Sequence, residues 1–155
     1  MTKTILVSAL AFVLLFSAAA AQTFTISGET KDVNRQIVPI NGKPAGVVIA
    51  QAELKAVNAD GSKETVKTTC GSWFTQDPRI PFEGVCSSST SNVDTFVGHA
   101  WCVPIADKPG QSNCWGDMTG TGGKYDKRQG TLSWKSTFLP ERKGSIISGT
   151  GQWNE

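Results

Sequence analysis

Three glycine-rich segments near the C-terminus constrain the fold of this chain more than any other feature. They read TGTGGKY at residues 119–125, GTLSW at 130–134 and SGTGQW at 148–153. Each combines small residues and threonine with an aromatic residue, at a spacing that suits strands, in which alternate side chains share a face. Glycine inside a strand often marks a sharp bend or the close approach of another group. The pattern predicts tightly curved antiparallel sheet.

The last of these segments also predicts where bulky side chains fit. In a strand, Ile147, Gly149, Gly151 and Trp153 share one face, so the two glycines leave space for a large neighbour. A phosphate-binding loop is the competing interpretation of the glycines at 120–123. That loop needs a helix directly after it, and the residues from Lys124 onward have no helical pattern.

The rest of the chain is divided into short β-rich runs by turn residues. The runs cover residues 23–27, 33–40, 46–58, 65–73, 82–88, 93–103, 112–119, 130–138 and 145–153. Residues 46–58 contain enough alanine to allow a short helix instead. The pattern predicts an all-β chain with eight, possibly nine, antiparallel strands, as in a sandwich or an up-and-down barrel. The glycine placement favours a single barrel.

The N-terminus has the pattern of an export signal. One lysine precedes an apolar stretch from Ile5 to Phe16, and small residues follow up to Ala21. This arrangement predicts a secretory signal peptide at residues 1–21 and a mature β-barrel domain at 22–155. The alternative is a retained membrane anchor, although the apolar stretch is shorter than a membrane span needs and no second one follows. We therefore expect a periplasmic or secreted protein with no membrane span in its mature part.

Four cysteines lie in the mature part, where an oxidising compartment favours disulfides. Four cysteines allow three pairings. Residues 70 and 86 are centred on a turn-like segment at 76–81, and residues 102 and 114 on another at 107–110. This symmetry favours two hairpin staples, Cys70–Cys86 and Cys102–Cys114. A zinc site is disfavoured because the chain has no CxxC motif and a single histidine, so we expect neither a metal nor another cofactor.

Charge excludes some partners. The full chain has 15 basic and 13 acidic residues, and the basic ones are scattered rather than gathered on a stripe. Nucleic-acid binding is not indicated, because it would need a basic face.

Residues suited to catalysis are sparse. The chain lacks a GxSxG elbow, and its one histidine, His99, lies in a strand-like run where such residues are usually structural. The five tryptophans indicate a function more strongly than these residues do, because tryptophan can line a ligand pocket as well as fill a core. We assign no catalytic residue. The candidate cavity-lining residues are His99, Trp101, Trp134 and Trp153.

The glycine-rich series resembles the C-terminal hairpins of the allene oxide cyclase barrel-like superfamily, over roughly residues 65–153. That group includes plant allene oxide cyclases, dirigent proteins and small exported bacterial proteins. The resemblance implies an eight-stranded, calycin-like barrel with a central cavity. No residue here aligns with the cavity acids attributed to the enzymes, so no catalytic role is carried over.

Three functions stay open at this point. The first is a non-catalytic exported barrel that binds a small apolar or amphipathic ligand in its cavity. The second is a structural or protein-partner-binding envelope protein with a filled barrel. The third is an enzyme of the cyclase or isomerase type. An apolar cavity would favour the first, and a barrel packed solid would favour the second.

Overall fold

A computed structural model describes residues 21–75, 81–139 and 143–154. The predicted signal peptide lies outside these residues except for its last position. The strands are β1 Gln22–Ile40, β2 Lys43–Asn58, β3 Lys63–Thr75, β4 Phe82–Ser89, β5 Thr95–Pro104, β6 Gln111–Gly122, β7 Gln129–Phe138 and β8 Gly144–Asn154. A single 3-10 turn, Gly123–Tyr125, follows β6.

The eight strands form a closed antiparallel barrel in which each strand pairs with its neighbours in the chain. Closure joins β1 to β8, with Gln22 opposite Trp153 and Lys31 opposite Gly144. This confirms the prediction of an all-β chain with one eight-stranded barrel. Closing the sheet leaves no edge along the paired length, which removes a common route to aggregation.

The ninth strand suggested by the sequence is part of β1. Residues 23–27 and 33–40 belong to one long strand whose register shifts between Asp32 and Asn34. An extra residue at such a bulge bends the strand without ending it. Beyond the bulge, residues 34–40 pair with β2, and no described residue of β8 pairs with them. The end of this hairpin exposes Ile37, Val38 and Ile40 by half or more.

Asn41 and Gly42, a residue pair typical of two-residue hairpin turns, form the first turn, between β1 and β2. Both residues have positive φ, 50° and 75°, as a two-residue turn between twisted strands requires. The alanine-rich run that follows is strand rather than helix. Ala52, Leu54 and Ala56 are buried while the residues between them are exposed, so period-two burial overrides the helical preference of alanine.

The strand alternation divides the residues between an inner and an outer face. Inner residues of β6–β8 include Trp134, which pairs with Gly149 in the next strand. A Cβ atom at position 149 would lie 2.5 Å from the Trp134 Cβ, and one at position 151 would collide with the ring of Phe24. The glycines of β8 therefore provide space for large neighbours, as the sequence indicated.

Two disulfides staple adjacent hairpins, and their pairing is the one that the hairpin symmetry favours. Cys70 faces Cys86 across β3 and β4, and Cys102 faces Cys114 across β5 and β6. The Cα–Cα distance is 4.0 Å in each pair. Both bridges lie on the inner face.

The buried core gathers toward one end of the barrel. We call this the aromatic end: it carries β1's first residues, β8's last residues and the 3-10 turn. Phe96, Tyr125 and Trp153 pack there with ring centroids 4.8–5.3 Å apart. Ile26, Leu54, Val66, Met118 and Ile147 join the same cluster. We call the opposite end, with the β1–β2 and β5–β6 turns, the hairpin end.

Candidate ligand-binding cavity

A cavity of about 790 Å³ occupies the barrel interior next to this core. Its walls are mostly apolar, with contributions from all eight strands. The apolar side chains that border it include Phe24, Ile26, Val48, Leu54, Val66, Phe74, Phe82, Phe96, Met118, Leu132, Trp134, Phe138, Ile147 and Trp153. The interior of the barrel is therefore only partly filled by its own side chains.

The sequence of strands β3–β6 explains why space remains. One cross-strand row of inner positions reads Ser72, Gly84, Ala100 and Gly116, each directly opposite the next. None of these residues has a side chain long enough to cross the interior. An eight-stranded barrel is narrow enough for side chains to fill it, so a row of four small residues opens a void.

The aromatic end of the cavity is bordered by a polar network centred on Glu64. The Glu64 carboxylate accepts hydrogen bonds from Lys124 Nζ at 2.6 Å, Tyr125 Oη at 3.0 Å and Asn58 Nδ2 at 3.0 Å. This network ties the 3-10 turn to β2 and β3. It holds the Tyr125 ring against Trp153.

The burial and hydrogen bonds of Glu64 and Tyr125 determine which of the two carries a proton. Burial acts to raise the pKa of Glu64, but the hydrogen bonds from Lys124, Asn58 and Tyr125 together outweigh it, so the pKa lies below its ordinary value of 4.5. Burial raises the pKa of the Tyr125 hydroxyl above its ordinary value of 10.0. At neutral pH Glu64 is a carboxylate that accepts a hydrogen bond from the neutral Tyr125 phenol, and the charge of Glu64 is balanced by Lys124.

The cavity wall toward the hairpin end combines polar groups with the aromatic rings of Phe74, Phe82 and Phe138. Arg35 and Asp32 form an ion pair within β1, on either side of the bulge. Hydroxyl groups from several strands border the cavity at Thr30, Thr68, Ser72, Ser88, Ser112, Ser136 and Ser145. Thr68 and Ser88 lie nearer the aromatic end, with Ser88 opposite Phe96, and the other five hydroxyls lie toward the hairpin end.

Three of the four predicted cavity-lining residues, His99, Trp134 and Trp153, border the cavity, and Trp101 does not. Trp134 and Trp153 border the cavity with their side chains on the inner face. His99 also borders it, beside the small residues Gly98, Ala100 and Gly116. These neighbours have too little side chain to cover the strand backbone there. The His99 ring faces outward, bonds to Glu83 through Nε2 at 2.6 Å and stacks on Trp101 with centroids 4.2 Å apart.

Trp101 does not border the cavity, so its assignment as a lining residue is corrected. It lies on the outer face because the adjacent residue, Cys102, faces inward, and neighbours in a strand point to opposite faces. Trp101 belongs to an outer row with Trp73, Glu83 and Trp115, each opposite the next in register. Trp73 and Trp115 are 43% and 44% exposed.

Most of the cavity residues were not singled out from the sequence. Phe24, Leu132 and the lining serines have ordinary strand-like neighbours and give no individual signal. One signal was present: if Cys102 faces inward, period-two alternation places His99 and Trp101 outside and Gly98 and Ala100 inside. The sequence pattern alone did not show which face of β5 was the inner one.

Comparisons with protein-family models, curated proteins and solved structures found no match to this chain. Across residues 21–75, 81–139 and 143–154, no helix is both long and apolar enough to cross a membrane. The same residues bring together no group of three His, Cys, Asp or Glu side chains suited to a metal ion. The shape and lining of the cavity are therefore the basis for assigning a function.

Proposed function

We propose that this protein binds a small, largely apolar molecule inside its barrel, and that it does so after export. The observation that carries the proposal is the cavity of about 790 Å³ with mostly apolar walls. Ligand pockets typically enclose about 300–1,000 Å³ and combine apolar walls with a few polar groups. The two disulfides suit an oxidising compartment and support the export half of the proposal.

The arrangement of side chains supports binding rather than chemistry. The ionisable side chains on the inner face are engaged with partners, as Arg35 is with Asp32 and Glu64 is with Lys124 and Tyr125. What faces the space is hydrocarbon, aromatic rings and hydroxyl groups. Such a surface gains free energy by removing an apolar molecule from water, at about 25 cal/mol for each Å² buried.

A relationship to the allene oxide cyclase barrel-like superfamily is part of the same proposal. Its support is the closed eight-stranded barrel and the placement of the glycine-rich segments in β6, β7 and β8. No catalytic role follows from this relationship, because no residue has been matched to one.

The proposal is tested by filling the cavity from one strand. Ala100 borders the space between Gly84 and Gly116, so Ala100→Phe should place a ring inside the cavity. The neutral dye phenylnaphthylamine fluoresces in apolar surroundings and serves as the probe. We expect one probe to bind per wild-type chain and the Ala100→Phe chain to lose most of that binding.

The matched control is Val97→Phe, which adds the same ring to the outer face of the same strand, at a residue that is 40% exposed. It should bind the probe as the wild type does. Circular dichroism and thermal unfolding verify that both variants are folded. Undiminished binding by a folded Ala100→Phe protein would contradict the proposal and favour use of the outer surface, where Trp73 and Trp115 are exposed.

A further inference from the structure

The hydroxyl groups of the cavity fall into two sets. Thr30 and Ser145 bond to each other, with Oγ atoms 3.2 Å apart, and Ser145 N donates to Thr30 Oγ1. Ser88 Oγ donates to Thr68 Oγ1 at 2.8 Å, and Thr68 in turn bonds to a backbone carbonyl. These four hydroxyls have protein partners and form part of the barrel wall.

Ser72, Ser112 and Ser136 behave differently. They are only 5–8% exposed and all three border the cavity. Within the described ranges, no protein group forms a hydrogen bond with any of their hydroxyls. These hydroxyls open onto the cavity, so a ligand that supplies a hydrogen-bonding group can bond to them directly.

Two of these serines lie side by side on neighbouring strands. Ser112 in β6 and Ser136 in β7 are direct register partners on the inner face. Opposite residues of paired strands have Cβ atoms about 4.5–5.5 Å apart. Their hydroxyls are therefore close enough to bond to one polar group of a ligand. Ser112 is the second residue of β6 and Ser136 is near the end of β7, which places both toward the hairpin end.

The charges around the cavity argue for a neutral polar group. Arg35 is neutralised by Asp32, and Glu64 is balanced by Lys124. The remaining ionisable residues at the wall, His99 and Asp117, lie opposite each other on the outer face. A charged group inside the cavity would lose its hydration and find no free counter-charge among the described side chains, which is costly.

We infer that the ligand is a neutral amphipathic molecule, an alcohol, ketone or ester with an extended apolar body. Its polar group bonds to Ser112 and Ser136, and its apolar body points toward Phe96 and Trp153. This inference rests on the proposed function, because it names the class of molecule that the same cavity binds.

Displacement of phenylnaphthylamine by three molecules with one common chain tests the inference. Dodecanol is neutral, dodecanoate is an anion and dodecyltrimethylammonium is a cation, and all are used below micelle-forming concentrations at pH 7. We expect dodecanol to displace the probe at a concentration about tenfold lower than either ion does, because only the ions bury an uncompensated charge.

The Ser112→Ala/Ser136→Ala double variant should weaken dodecanol binding by about tenfold, the equivalent of two net hydrogen bonds, and narrow the gap between alcohol and ions. The control is Asn113→Ala/Ser133→Ala, which alters exposed outer positions of the same two strands and should keep the wild-type preference. Probe binding without a preference for dodecanol, or a preference that survives in the double variant, would overturn this inference and leave the proposed function intact. Absence of probe binding by the wild type would overturn the proposed function itself.

Discussion

Gly149 shows how a single missing side chain shapes the barrel. It lies between Ile26 of β1 and Trp134 of β7, and a Cβ at this position would be 2.5 Å from the Trp134 Cβ. The Ser133 carbonyl oxygen and the Trp134 Cα and Cβ atoms occupy the space that any other residue would need. This glycine is therefore required for packing.

We expect Gly149→Val to lower the free energy of unfolding by about 1–3 kcal/mol, because the added atoms force Trp134 out of its position. Denaturant unfolding of both proteins measures the difference. Gly71→Ala is the control, since a Cβ at position 71 would meet nothing within 4 Å. A Gly149→Val protein as stable as Gly71→Ala would show that the inner face is not crowded there.

Glu64 makes the stability of the barrel depend on pH. The pKa of this carboxyl lies below 4.5 in the folded protein because Lys124, Asn58 and Tyr125 bond to the charged form and outweigh the effect of burial. A group with a lowered pKa stabilises the fold above its unfolded-state value, and that contribution disappears as the pH falls through the folded-state value.

The wild type should therefore be more stable than Glu64→Gln at neutral pH, and the difference should shrink as the pH falls below 4.5. Thermal unfolding across this pH range provides the measurement. Glu53→Gln serves for comparison, because Glu53 is 70% exposed and its ion pair with Lys67 is long, at 3.7 Å. A Glu64→Gln difference that stays constant down to strongly acidic pH would contradict the assignment.

The disulfides act at the scale of the hairpin. They close segments of similar length, with sequence separations of 16 and 12 residues. In the loop-entropy description, each should stabilise the barrel by about 3 kcal/mol, and the two should differ by only about 0.3 kcal/mol. Each restricts the unfolded chain to conformations in which its hairpin is already joined.

We expect the Cys70→Ser/Cys86→Ser and Cys102→Ser/Cys114→Ser proteins to lose similar amounts of stability, about 2–4 kcal/mol each. Denaturant unfolding without reductant measures the losses. Repeating it with reductant should bring all three proteins to similar stability, because none of them then has a bridge. A large loss from one pair with none from the other would show that strain or packing outweighs chain entropy.

The elements also show what could be predicted from the sequence. Turn residues such as Asn41–Gly42 and the period-two alternation are local, and they gave the strands, the hairpins and the disulfide pairing. The merger of two runs into β1 was ambiguous, since a bulge at Asp32–Asn34 looks like a break in the pattern. The face of β5 was missed because Gly98 and Ala100, the inner residues beside His99, are too small to mark that face as apolar.

The cavity is a property of the whole molecule, so the residue pattern by itself left open whether the barrel is filled. Ser72, Gly84, Ala100 and Gly116 are separated by 12–16 residues along the chain and become one row only when four strands pair. Whether that row is covered or left open depends on the side chains across the barrel. Cavity volume is thus decided by closure.

Closure depends on the last strand. Removing residues 139–155 should leave β1 and β7 with unpaired edges and delete Trp153 from the core, so we expect soluble aggregates and no cooperative unfolding. Size-exclusion chromatography and thermal unfolding test this. The control is a circular permutant that joins residue 154 to residue 22 through a short linker and opens between Asp107 and Lys108, which are exposed. It keeps every strand and should fold; a cooperative truncated chain would contradict the role of closure.

The position of Trp134 has an optical consequence. It lies directly opposite Cys114, and so beside the Cys102–Cys114 bridge, on the inner face. A disulfide accepts an electron from an excited indole and quenches its emission. In the oxidised protein Trp134 should therefore be dim, while the exposed Trp73 and Trp115 emit at the long wavelengths of water-exposed indole. Reduction of that bridge should restore the emission of Trp134 at the shorter wavelengths of a buried indole. The tryptophan fluorescence spectrum therefore reports the redox state of one hairpin.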